Sequence, residues 1–504
     1  MRIVALLAAV ALFFTPTAAL ASDRPAPYHG VLHSYAVDTW RSFTAMVDPG
    51  TGLPADNIGG DLAPASRSKY TSPTNIGGYL WSTVVARELG IIGRREASTR
   101  IGSTLDTLAR LPRHTATGMF FNWYDPATGE VLRIWPEDGS PVYPFLSSVD
   151  NGWLAAALMV VRTSEPPARS KAEKLLYGMN FGFYYDPKSR GEDFPAGQLR
   201  GGFWPEKPPG CSVADKDVYY TCNHYDILNT EPRIASYIGI ALGQIPREHY
   251  FGTYRTFPDT CDWAWLKQKP TGVRRTYLGV PVFEGVYSYR GKQFVPTWGG
   301  DMFEALMPAL FVPEERWAPR SWGRNHGPYV QGQIEHGLTE AKYGYWGFSP
   351  ASNPFGGYNA YGAPPLGMDP NGYPSDIEGT KVDYGFGDCR PPGPAPTKWG
   401  DGVVTPHAVF LALPYAEQAA LSNLAKLKRD FAVYGPGGFK DSVAVRSGKV
   451  ADRYLSLDQA MVLGAIGNDL AGEVIRTAFS RGEIERTIRP LLAIEEFAIG
   501  RQQQ

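Results

Sequence analysis

An excess of charge of either sign is missing from this 504-residue sequence. Its 49 Lys and Arg residues nearly balance its 50 Asp and Glu residues, which leaves a net charge of −1. Proteins that bind nucleic acid or anionic membranes carry basic patches, so this balance argues against both partners. Long apolar runs are missing too. After residue 14 no stretch reaches the roughly 20 apolar residues that a membrane span needs.

Three signatures of common catalytic sites are also missing from the sequence. The absence of Gly-x-Ser-x-Gly argues against a serine hydrolase. The absence of His-Glu-x-x-His argues against a zinc hydrolase. No Gly-x-Gly-x-x-Gly or phosphate loop follows a predicted strand, so a nucleotide cofactor is not expected either. We therefore predict a protein with neither a metal nor a cofactor.

Cysteine is scarce, with four residues in the whole sequence: Cys211, Cys222, Cys261 and Cys389. An even number suits an oxidising compartment and two disulfides. The sequence leaves the pairing open, and the shortest loops favour Cys211 with Cys222 and Cys261 with Cys389. No Cys-x-x-Cys pair exists, which makes a zinc site the weaker interpretation.

The N-terminus has the pattern of a secretory leader. Arg2 supplies the positive charge, residues 3–14 form a short apolar region, and Ala19-Leu20-Ala21 provides a small-residue cleavage site. We therefore predict a signal peptide at residues 1–21 and a mature chain, 22–504, that is secreted or periplasmic and has no integral membrane segment. No linker or repeat divides the mature chain, so we expect a single catalytic domain.

Aromatic residues are abundant, at 13% of the sequence with 13 Trp and 28 Tyr. Residues 345–350 and 356–365 combine rings with glycine and proline and have no helical or strand period. Such loops present flat faces to ligands such as sugar rings, although the same composition also suits a rigid connector whose rings pack inward. We predict that six rings line a sugar-binding opening, with Trp153 the one most expected in the core: Trp123, Trp153, Trp298, Trp346, Tyr358 and Tyr361.

Helical periodicity dominates the rest of the chain. About eleven helices are predicted, at 35–47, 73–89, 95–111, 148–163, 167–180, 230–243, 301–311, 323–341, 406–431, 456–479 and 481–497. Alternating short and very long connections, without a fixed repeat, predict a toroid of inner and outer helices rather than a solenoid. The fold class is therefore all-α, with short β pieces such as residues 279–289 in the long loops.

Three acidic residues lie where predicted helices begin after long loops: Asp150, Glu231 and Glu304. A first-turn acid is often only a partner for the positive helix N-terminus. Here each one is surrounded by apolar or aromatic residues, which raises a carboxyl pKa by desolvation. Glycosidic hydrolysis needs one carboxylic acid to protonate the leaving oxygen and one carboxylate to activate water or attack the sugar.

At the same residues the chain resembles bacterial glucoamylase-like proteins. These are related to β-1,2-glucan-hydrolysing enzymes and, more remotely, to the glycoside-processing part of cyclic β-1,2-glucan synthases. The similar segments follow one another in order from about residue 34 to residue 479: Ser72 to Gly77, Phe121 to Asp125, Ser148 to Gly152, Arg233 to Ala241, Trp298 to Glu304, Tyr345 to Ser349 and Tyr434 to Asp441.

The resemblance implies an (α/α)6 toroid that acts on glucans. Glu231 matches the position of the general acid of the β-1,2-glucanases, and Glu304 matches a Met-Phe-Glu segment of the cyclic-glucan enzymes. Pro232 and the cysteine-bearing insertion at 211–222 depart from the family pattern, which leaves the linkage open.

We therefore predict an exported glycoside hydrolase whose substrate is a polysaccharide or oligosaccharide, a glucan by the resemblance. Glu231 is the predicted proton donor, and Asp150 is favoured over Glu304 as base. Two alternatives remain open at this point. One is a non-catalytic polysaccharide-binding or envelope protein, and the other is a polysaccharide lyase on the same fold.

Overall fold

The computed structural model describes residues 26–261, 266–368, 382–394 and 396–500. The predicted signal peptide lies outside the described residues. Helices account for 42% of the chain and strands for 17%. The prediction of a mainly helical body is confirmed, while the strands are more numerous than the all-α class implied.

Fifteen α-helices lie in the described part of the chain. In order they are α1 (Ala26–Met46), α2 (Pro73–Glu88), α3 (Arg94–Leu108), α4 (Ser148–Ser164), α5 (Arg169–Leu176), α6 (Arg233–Ala241), α7 (His249–Gly252), α8 (Met302–Leu306), α9 (Glu314–Trp317), α10 (Trp322–Glu335), α11 (Pro406–Leu411), α12 (Leu413–Asp430), α13 (Ser456–Leu470), α14 (Val474–Ser480) and α15 (Glu483–Ala493). Each of the eleven predicted helices has a counterpart among them.

Most predicted helices are somewhat shorter in the structure, and three of them end early or divide at a residue that interrupts helices. The helix predicted at 301–311 ends at Leu306, two residues before Pro308. The one at 406–431 divides into α11 and α12 near Pro414, because proline has no N–H with which to continue α11. The one at 456–479 divides at Gly472, whose φ of 63° no ordinary helix contains.

Side-chain caps fix the starts of the helices that matter for the site. The Ser72 side chain accepts a hydrogen bond from the backbone N–H of Asn75 at the start of α2, where Pro73 occupies the first helical position. The Ser147 side chain does the same for α4. Such caps satisfy backbone N–H groups that have no partner within the helix.

Twenty-one strands, most of them short, lie between the helices in the described residues. They are β1 (Asn57–Gly59), β2 (Leu146–Ser147), β3 (Tyr185–Asp186), β4 (Gln198–Arg200), β5 (Gly202–Trp204), β6 (Ser212–Asp215), β7 (Val218–Thr221), β8 (His224–Tyr225), β9 (Thr271–Tyr277), β10 (Val280–Tyr289), β11 (Lys292–Phe294), β12 (Thr297–Trp298), β13 (Ala351–Ser352), β14 (Tyr358–Asn359), β15 (Gly367–Met368), β16 (Val403–Val404), β17 (Tyr434–Gly435), β18 (Gly438–Phe439), β19 (Val443–Ala444), β20 (Lys449–Val450) and β21 (Arg453–Leu455).

The strands form small sheets in the connections between helices. The largest has four strands in the order β2-β5-β7-β6, and another joins β9, β10 and β11. In the latter, β10 pairs antiparallel with β9, with Val280 opposite Tyr277. This strand corresponds to the piece predicted at residues 279–289.

Six helices pack against one another in a closed cycle. α2 contacts α4 and α13, α4 contacts α6, α13 contacts α11, and α11 contacts α8. The cycle closes between α6 and α8, where the Arg233 guanidinium donates to the backbone carbonyls of Glu304 and Ala305. Gly152 allows α4 and α6 to approach closely, because a Cβ there would lie 2.9 Å from the Ala235 methyl. Other helices pack outside this cycle, including α1 on α13, α5 on α4 and α12 on α11.

Two disulfides pin the long connections. Cys211 pairs with Cys222 and Cys261 pairs with Cys389, so both predicted pairs are confirmed. The first closes a hairpin between β6 and β7, and the second joins segments 128 residues apart in the sequence. Within the described residues, no helix has the length and apolar character that crossing a membrane requires.

Candidate active site

A cavity of about 700 Å³ opens where the helices of the closed cycle begin. Starts of α2, α4, α8 and α13 contribute Thr74, Asp150, Phe303 and Asp458, and Glu231 precedes α6 by two residues. A cavity of this size accepts a drug-sized ligand, and a disaccharide has a similar number of atoms. Its titratable lining includes Asp56, Glu137, Asp150, Glu231, Asp458 and Arg453.

Glu231 is held in the cavity wall by one strong side-chain contact. The Trp153 indole Nε1 donates a 2.6 Å hydrogen bond to the Glu231 Oε2 atom. Pro232 follows immediately and has no N–H to offer the carboxyl group. Burial raises the pKa of Glu231 well above its usual range, and the negative charge of Glu304 raises it further. The Trp153 hydrogen bond opposes these effects without cancelling them, so Glu231 favours its protonated form.

Glu304 lies directly behind Glu231. Its Oε2 atom accepts a 2.7 Å hydrogen bond from the backbone N–H of Glu231. The Asp301 carboxylate caps α8 by accepting a 2.8 Å hydrogen bond from the backbone N–H of Glu304. Burial raises the pKa of Glu304 to about 7, although the Glu231 N–H and the Arg233 charge oppose that rise. Glu304 is partly exposed and is not among the residues that line this cavity, and its described hydrogen bond to Glu231 is to the backbone N–H.

A buried ion pair between Arg233 and Glu314 stabilises the backbone on which Glu231 and Glu304 lie. The Arg233 Nε atom donates to the Glu314 Oε1 atom at 2.8 Å, and Arg233 Nη1 donates to the Thr230 carbonyl. Burial alone would raise the pKa of Glu314, but the Arg233 charge and the His326 hydrogen bond lower it to about 2. Glu314 is therefore ionised, and the pair fixes the start of α6 against α8.

Asp150 lies in the first turn of α4, on the cavity wall. The Thr74 hydroxyl donates a 2.6 Å hydrogen bond to the Asp150 Oδ1 atom. The backbone N–H of Asp150 donates to the Ser147 hydroxyl at 3.1 Å. Burial raises the pKa of Asp150, and hydrogen bonds from Thr74, Ser147 and Ser72 oppose the rise. The structure thus brings the three predicted acids to one end of the helix cycle.

A cluster of three rings forms an aromatic wall of the cavity. The Trp123 ring lies edge-on to Tyr70 at 5.6 Å and to Trp135 at 5.3 Å between centroids. Tyr70 and Trp135 lie 4.5 Å apart. Trp123 was predicted from the sequence, whereas Tyr70 and Trp135 were missed because neither belongs to a ring-rich segment. Tyr358, the second predicted ring on the cavity lining, is 56% exposed.

The other four predicted rings do not line the cavity. Trp153 is 1% exposed, as expected for a core ring, and reaches the site only through its Nε1 atom. Trp346 is also 1% exposed and packs in the main core, and Tyr361 is 4% exposed in a small separate cluster. Trp298 is half-buried on β12 beside Phe257. For Trp346 and Tyr361 the prediction of sugar contact is corrected, because these loops turn their rings inward as a rigid connector does. For Trp298 sugar contact stays a prediction.

Three acids of the cavity lining were missed by sequence reasoning: Asp56, Glu137 and Asp458. Asp56 accepts hydrogen bonds from the side chains of Asn57 and Asn75 at 3.0 Å and 2.8 Å. Burial raises its pKa, and these two amides oppose the rise. Asp56 precedes a three-residue strand and Glu137 lies in a polar turn, so neither has the helix-start pattern that indicated the other acids. Asp458, in the first turn of α13, has that pattern.

Chemically, the site combines buried carboxyl groups of raised pKa, among them Glu231 and Asp150, with an aromatic wall around one cavity. A neutral carboxylic acid donates a proton, and an ionised carboxylate accepts one or orients water. Rings provide flat apolar faces against which a sugar ring packs.

Sequence comparisons match two segments of the chain to described families. Residues 276–481 match the family described as "Putative glucoamylase", and residues 34–181 match one described as "Protein of unknown function (DUF3131)". The cyclic beta-(1,2)-glucan synthase NdvB of Rhizobium meliloti (strain 1021) is 22% identical over 88% of this chain. The aligned part is only 18% of that relative's length.

Solved structures share the fold over nearly the whole chain. The endo-beta-1,2-glucanase from Chitinophaga pinensis, in complex with sophorotriose and glucose, superposes with a TM-score of 0.65 at 16% identity, covering 92% of this chain and 98% of that one. The beta-1,2-glucanase from Parabacteroides distasonis superposes with a TM-score of 0.66 at 17% identity. The match covers 93% of this chain and 60% of that one. A structure described as "putative glucoamylase" from Bacteroides fragilis NCTC 9343 superposes with a TM-score of 0.62 at 16% identity. The match covers 94% of this chain and 98% of that one. The resemblance predicted from the sequence is confirmed.

Proposed function

We propose that this protein is an exported glycoside hydrolase that cleaves a β-1,2-linked glucan, with Glu231 as its general acid. The observation that carries the proposal is the environment of Glu231. Its carboxyl group faces the cavity, is held by the Trp153 indole, and has a pKa raised well above its usual range by burial and by Glu304. A general acid must be protonated at the working pH and within reach of the leaving oxygen.

Asp150 is the proposed base. It lies on the same cavity lining, and its Oδ1 atom is already oriented by the Thr74 hydroxyl. Burial raises the pKa of Asp150, and the hydrogen bonds from Thr74, Ser147 and Ser72 oppose this rise and favour the charged form that a base needs. Asp150 would activate a water molecule or attack the sugar directly.

Glu304 serves as a positioning residue in this proposal rather than as the base. It accepts a hydrogen bond from the Glu231 backbone, and it lies outside the cavity lining. Its negative charge raises the pKa of Glu231, so it keeps the acid protonated. Of the two candidates for the base, Asp150 and Glu304, the proposal therefore assigns this role to Asp150.

The proposed architecture is an (α/α)6 toroid. The closed cycle of α2, α4, α6, α8, α11 and α13 provides six inner helices, and helices such as α1, α5 and α12 pack outside them. The solved β-1,2-glucanases resemble this chain in fold across more than 90% of its length. The glucan substrate and the β-1,2 linkage are taken from those neighbours, and the two disulfides suit an exported protein.

The lining of the cavity favours a hydrolase over a lyase. A lyase acting on a uronate needs cationic side chains to neutralise the sugar carboxylate. In the described part of the chain, the cavity lining has Arg453 as its single Lys or Arg residue, against five acids. An uncharged glucan suits this lining better.

Incubation of the protein with a panel of glucans tests the proposal. The panel contains β-1,2-, β-1,3-, β-1,4-, β-1,6- and α-1,4-linked polymers, and products are sized by chromatography. We expect oligosaccharides from the β-1,2-linked polymer alone. Products from a glucan of another linkage would contradict the proposed β-1,2-glucan substrate. If the protein binds a glucan but releases no products, a non-catalytic binding protein would be favoured.

A further inference from the structure

A second group of titratable side chains lies beside the cavity, on elements that are far apart in the sequence. His407 is the second residue of α11, Asp441 follows the β17–β18 hairpin, and Asp458 lies in the first turn of α13. One ligand atom from each residue lies within 4.8 Å of the other two. The His407 Nδ1 and Asp458 Oδ2 atoms are 3.3 Å apart.

All three side chains are buried, and each has at least one polar atom without a hydrogen-bond partner of the usual geometry. His407 is 2% exposed, Asp441 1% and Asp458 4%. Within the described residues, both ring nitrogens of His407 and the atoms Asp441 Oδ1 and Asp458 Oδ2 accept or donate no hydrogen bond. Leaving such groups unpaired costs free energy, so each instance calls for an explanation such as an ion or water.

Within the described residues, no lysine or arginine forms an ion pair with Asp441 or Asp458. Lys440 is next to Asp441 in sequence, but its Nζ atom pairs with Asp452 at 2.7 Å. The Ser352 backbone N–H donates to Asp441 Oδ2 at 2.7 Å, which satisfies one oxygen and leaves the other directed at the group. Two adjacent buried carboxyl groups and an imidazole therefore surround a position suited to positive charge.

We propose that His407, Asp441 and Asp458 bind a divalent first-row transition metal ion, with zinc as the probe. One imidazole and two carboxylates suit such ions, whereas calcium and magnesium prefer oxygen ligands only. Zinc lies about 2.0–2.2 Å from nitrogen and oxygen ligands, and its tetrahedral geometry places two such ligands about 3.4 Å apart. The His407 Nδ1 and Asp458 Oδ2 atoms, at 3.3 Å, already have this separation. The three ligand atoms all lie within 4.8 Å of one another, so the widest separation closes by at most about 1.4 Å when the ion binds.

The proposed ion site adjoins the active-site cavity through one of its ligands, Asp458. Asp458 and Ser352 both belong to the cavity lining, on the wall that α13 and β13 form. Three protein ligands leave a fourth position of a zinc site for water or a ligand oxygen. The site therefore adds a Lewis-acidic position for a hydroxyl group of whatever occupies the cavity. Ion binding does not depend on the proposed hydrolase activity and is measured without substrate.

Metal analysis of the purified protein, without a polyhistidine tag, tests the site. After exposure to zinc and dialysis, we expect one zinc ion per chain, with X-ray absorption showing only nitrogen and oxygen ligands at about 2.0–2.2 Å. Added zinc should also raise the melting temperature in a concentration-dependent way, because an ion that binds only the folded state stabilises it. If the folded, unmodified protein retains no zinc, the proposal is overturned, and no variant is needed to reach that conclusion.

Substitutions then locate the ion. His407→Gln and Asp441→Asn should each weaken zinc binding by about tenfold or more, on the scale of disturbed metal sites. His249→Gln is the buried control, because His249 is 0% exposed and both its ring nitrogens already have partners. His33→Gln is the surface control, because His29 and His33 are four residues apart on α1 and offer a competing site. Zinc that is lost only with His33→Gln, or retained in every variant, would overturn the proposal.

Discussion

The Trp153 indole and the Glu231 carboxyl group, 78 residues apart in sequence, are joined by a 2.6 Å hydrogen bond across the α4–α6 contact. This bond connects the core to the site. The ring of Trp153 is buried, and its single polar atom fixes the direction of the proposed acid. The Glu304 carboxylate holds the backbone of the same residue from behind. Glu231 is thus restrained at both its side chain and its backbone.

Trp153→Phe keeps most of the ring and removes the N–H. Because a hydrogen bond to a neutral group contributes about 0.5–1.5 kcal/mol, we expect turnover to fall by up to about tenfold. The bond also lowers the pKa of Glu231, so its loss should move the basic limb of the pH profile upward. Trp322→Phe is the control, since its buried Nε1 atom donates to the Tyr250 hydroxyl and not to Glu231. Equal losses in both variants would mean that only packing was disturbed.

Glu304→Gln tests the coupling between the two glutamates. The Gln carbonyl still accepts the hydrogen bond from the Glu231 backbone, but the negative charge is gone. That charge raises the pKa of Glu231, so its removal should lower this pKa. A general acid is active below its pKa, and the basic limb of kcat/KM against pH should therefore move to lower pH. An unchanged limb would show that Glu304 does not act through Glu231.

Glu314→Gln should destabilise the protein without touching the cavity. Removing one partner of a buried ion pair leaves the Arg233 charge uncompensated and costs about 3–5 kcal/mol in the free energy of unfolding. Glu206 forms an ion pair with Arg133 in which each side chain is 60% exposed. Glu206→Gln should therefore leave the free energy of unfolding almost unchanged. Chemical denaturation measures both.

The same pair predicts a pH dependence of stability. The pKa of Glu314 is lowered from 4.5 to about 2 in the folded protein. Its contribution is therefore complete above pH 4.5 and is lost as pH falls towards 2. This acid-induced loss should be smaller in the Glu314→Gln variant, and an equal loss in both proteins would contradict the prediction.

Substitution of Trp123, with Trp346 as the matched control, tests whether the aromatic wall of the cavity binds sugar. Trp123→Ala removes a half-buried ring from the cavity and should raise KM while the melting temperature changes little. Trp346→Ala removes a ring that is 1% exposed in the core and should cost about 3–5 kcal/mol of stability. Activity assays and thermal unfolding distinguish the two. A Trp123→Ala protein with unchanged KM would exclude this ring from substrate binding.

Local sequence signals predicted the features that depend on local physics. Ser72-Pro73 identified the start of α2, and apolar periodicity located each main helix, because caps and helix faces are properties of neighbouring residues. The acids at the starts of α4 and α8 followed from the same signals. Helix breaks at Pro308 and Pro414 were also readable locally and were passed over.

Features that depend on tertiary packing could not be predicted. Composition does not tell which way a loop ring faces, so Trp346 and Tyr361 were assigned to the opening although they are buried. Asp56 reaches the cavity because β1 pairs with β21, about 400 residues later, with Asn57 opposite Leu455. The His407, Asp441 and Asp458 group has no motif spacing either, since three separate elements assemble it.

The rate of oligosaccharide release from β-1,2-glucan by Glu231→Gln tests the proposed mechanism most directly. Gln keeps the shape and the contact with Trp153 but has no proton to transfer. We predict that turnover falls by about 10²–10⁴-fold, while the melting temperature and the affinity for the glucan stay close to those of the unmodified protein. A folded Glu231→Gln protein with full activity would contradict the assignment of Glu231 as the general acid.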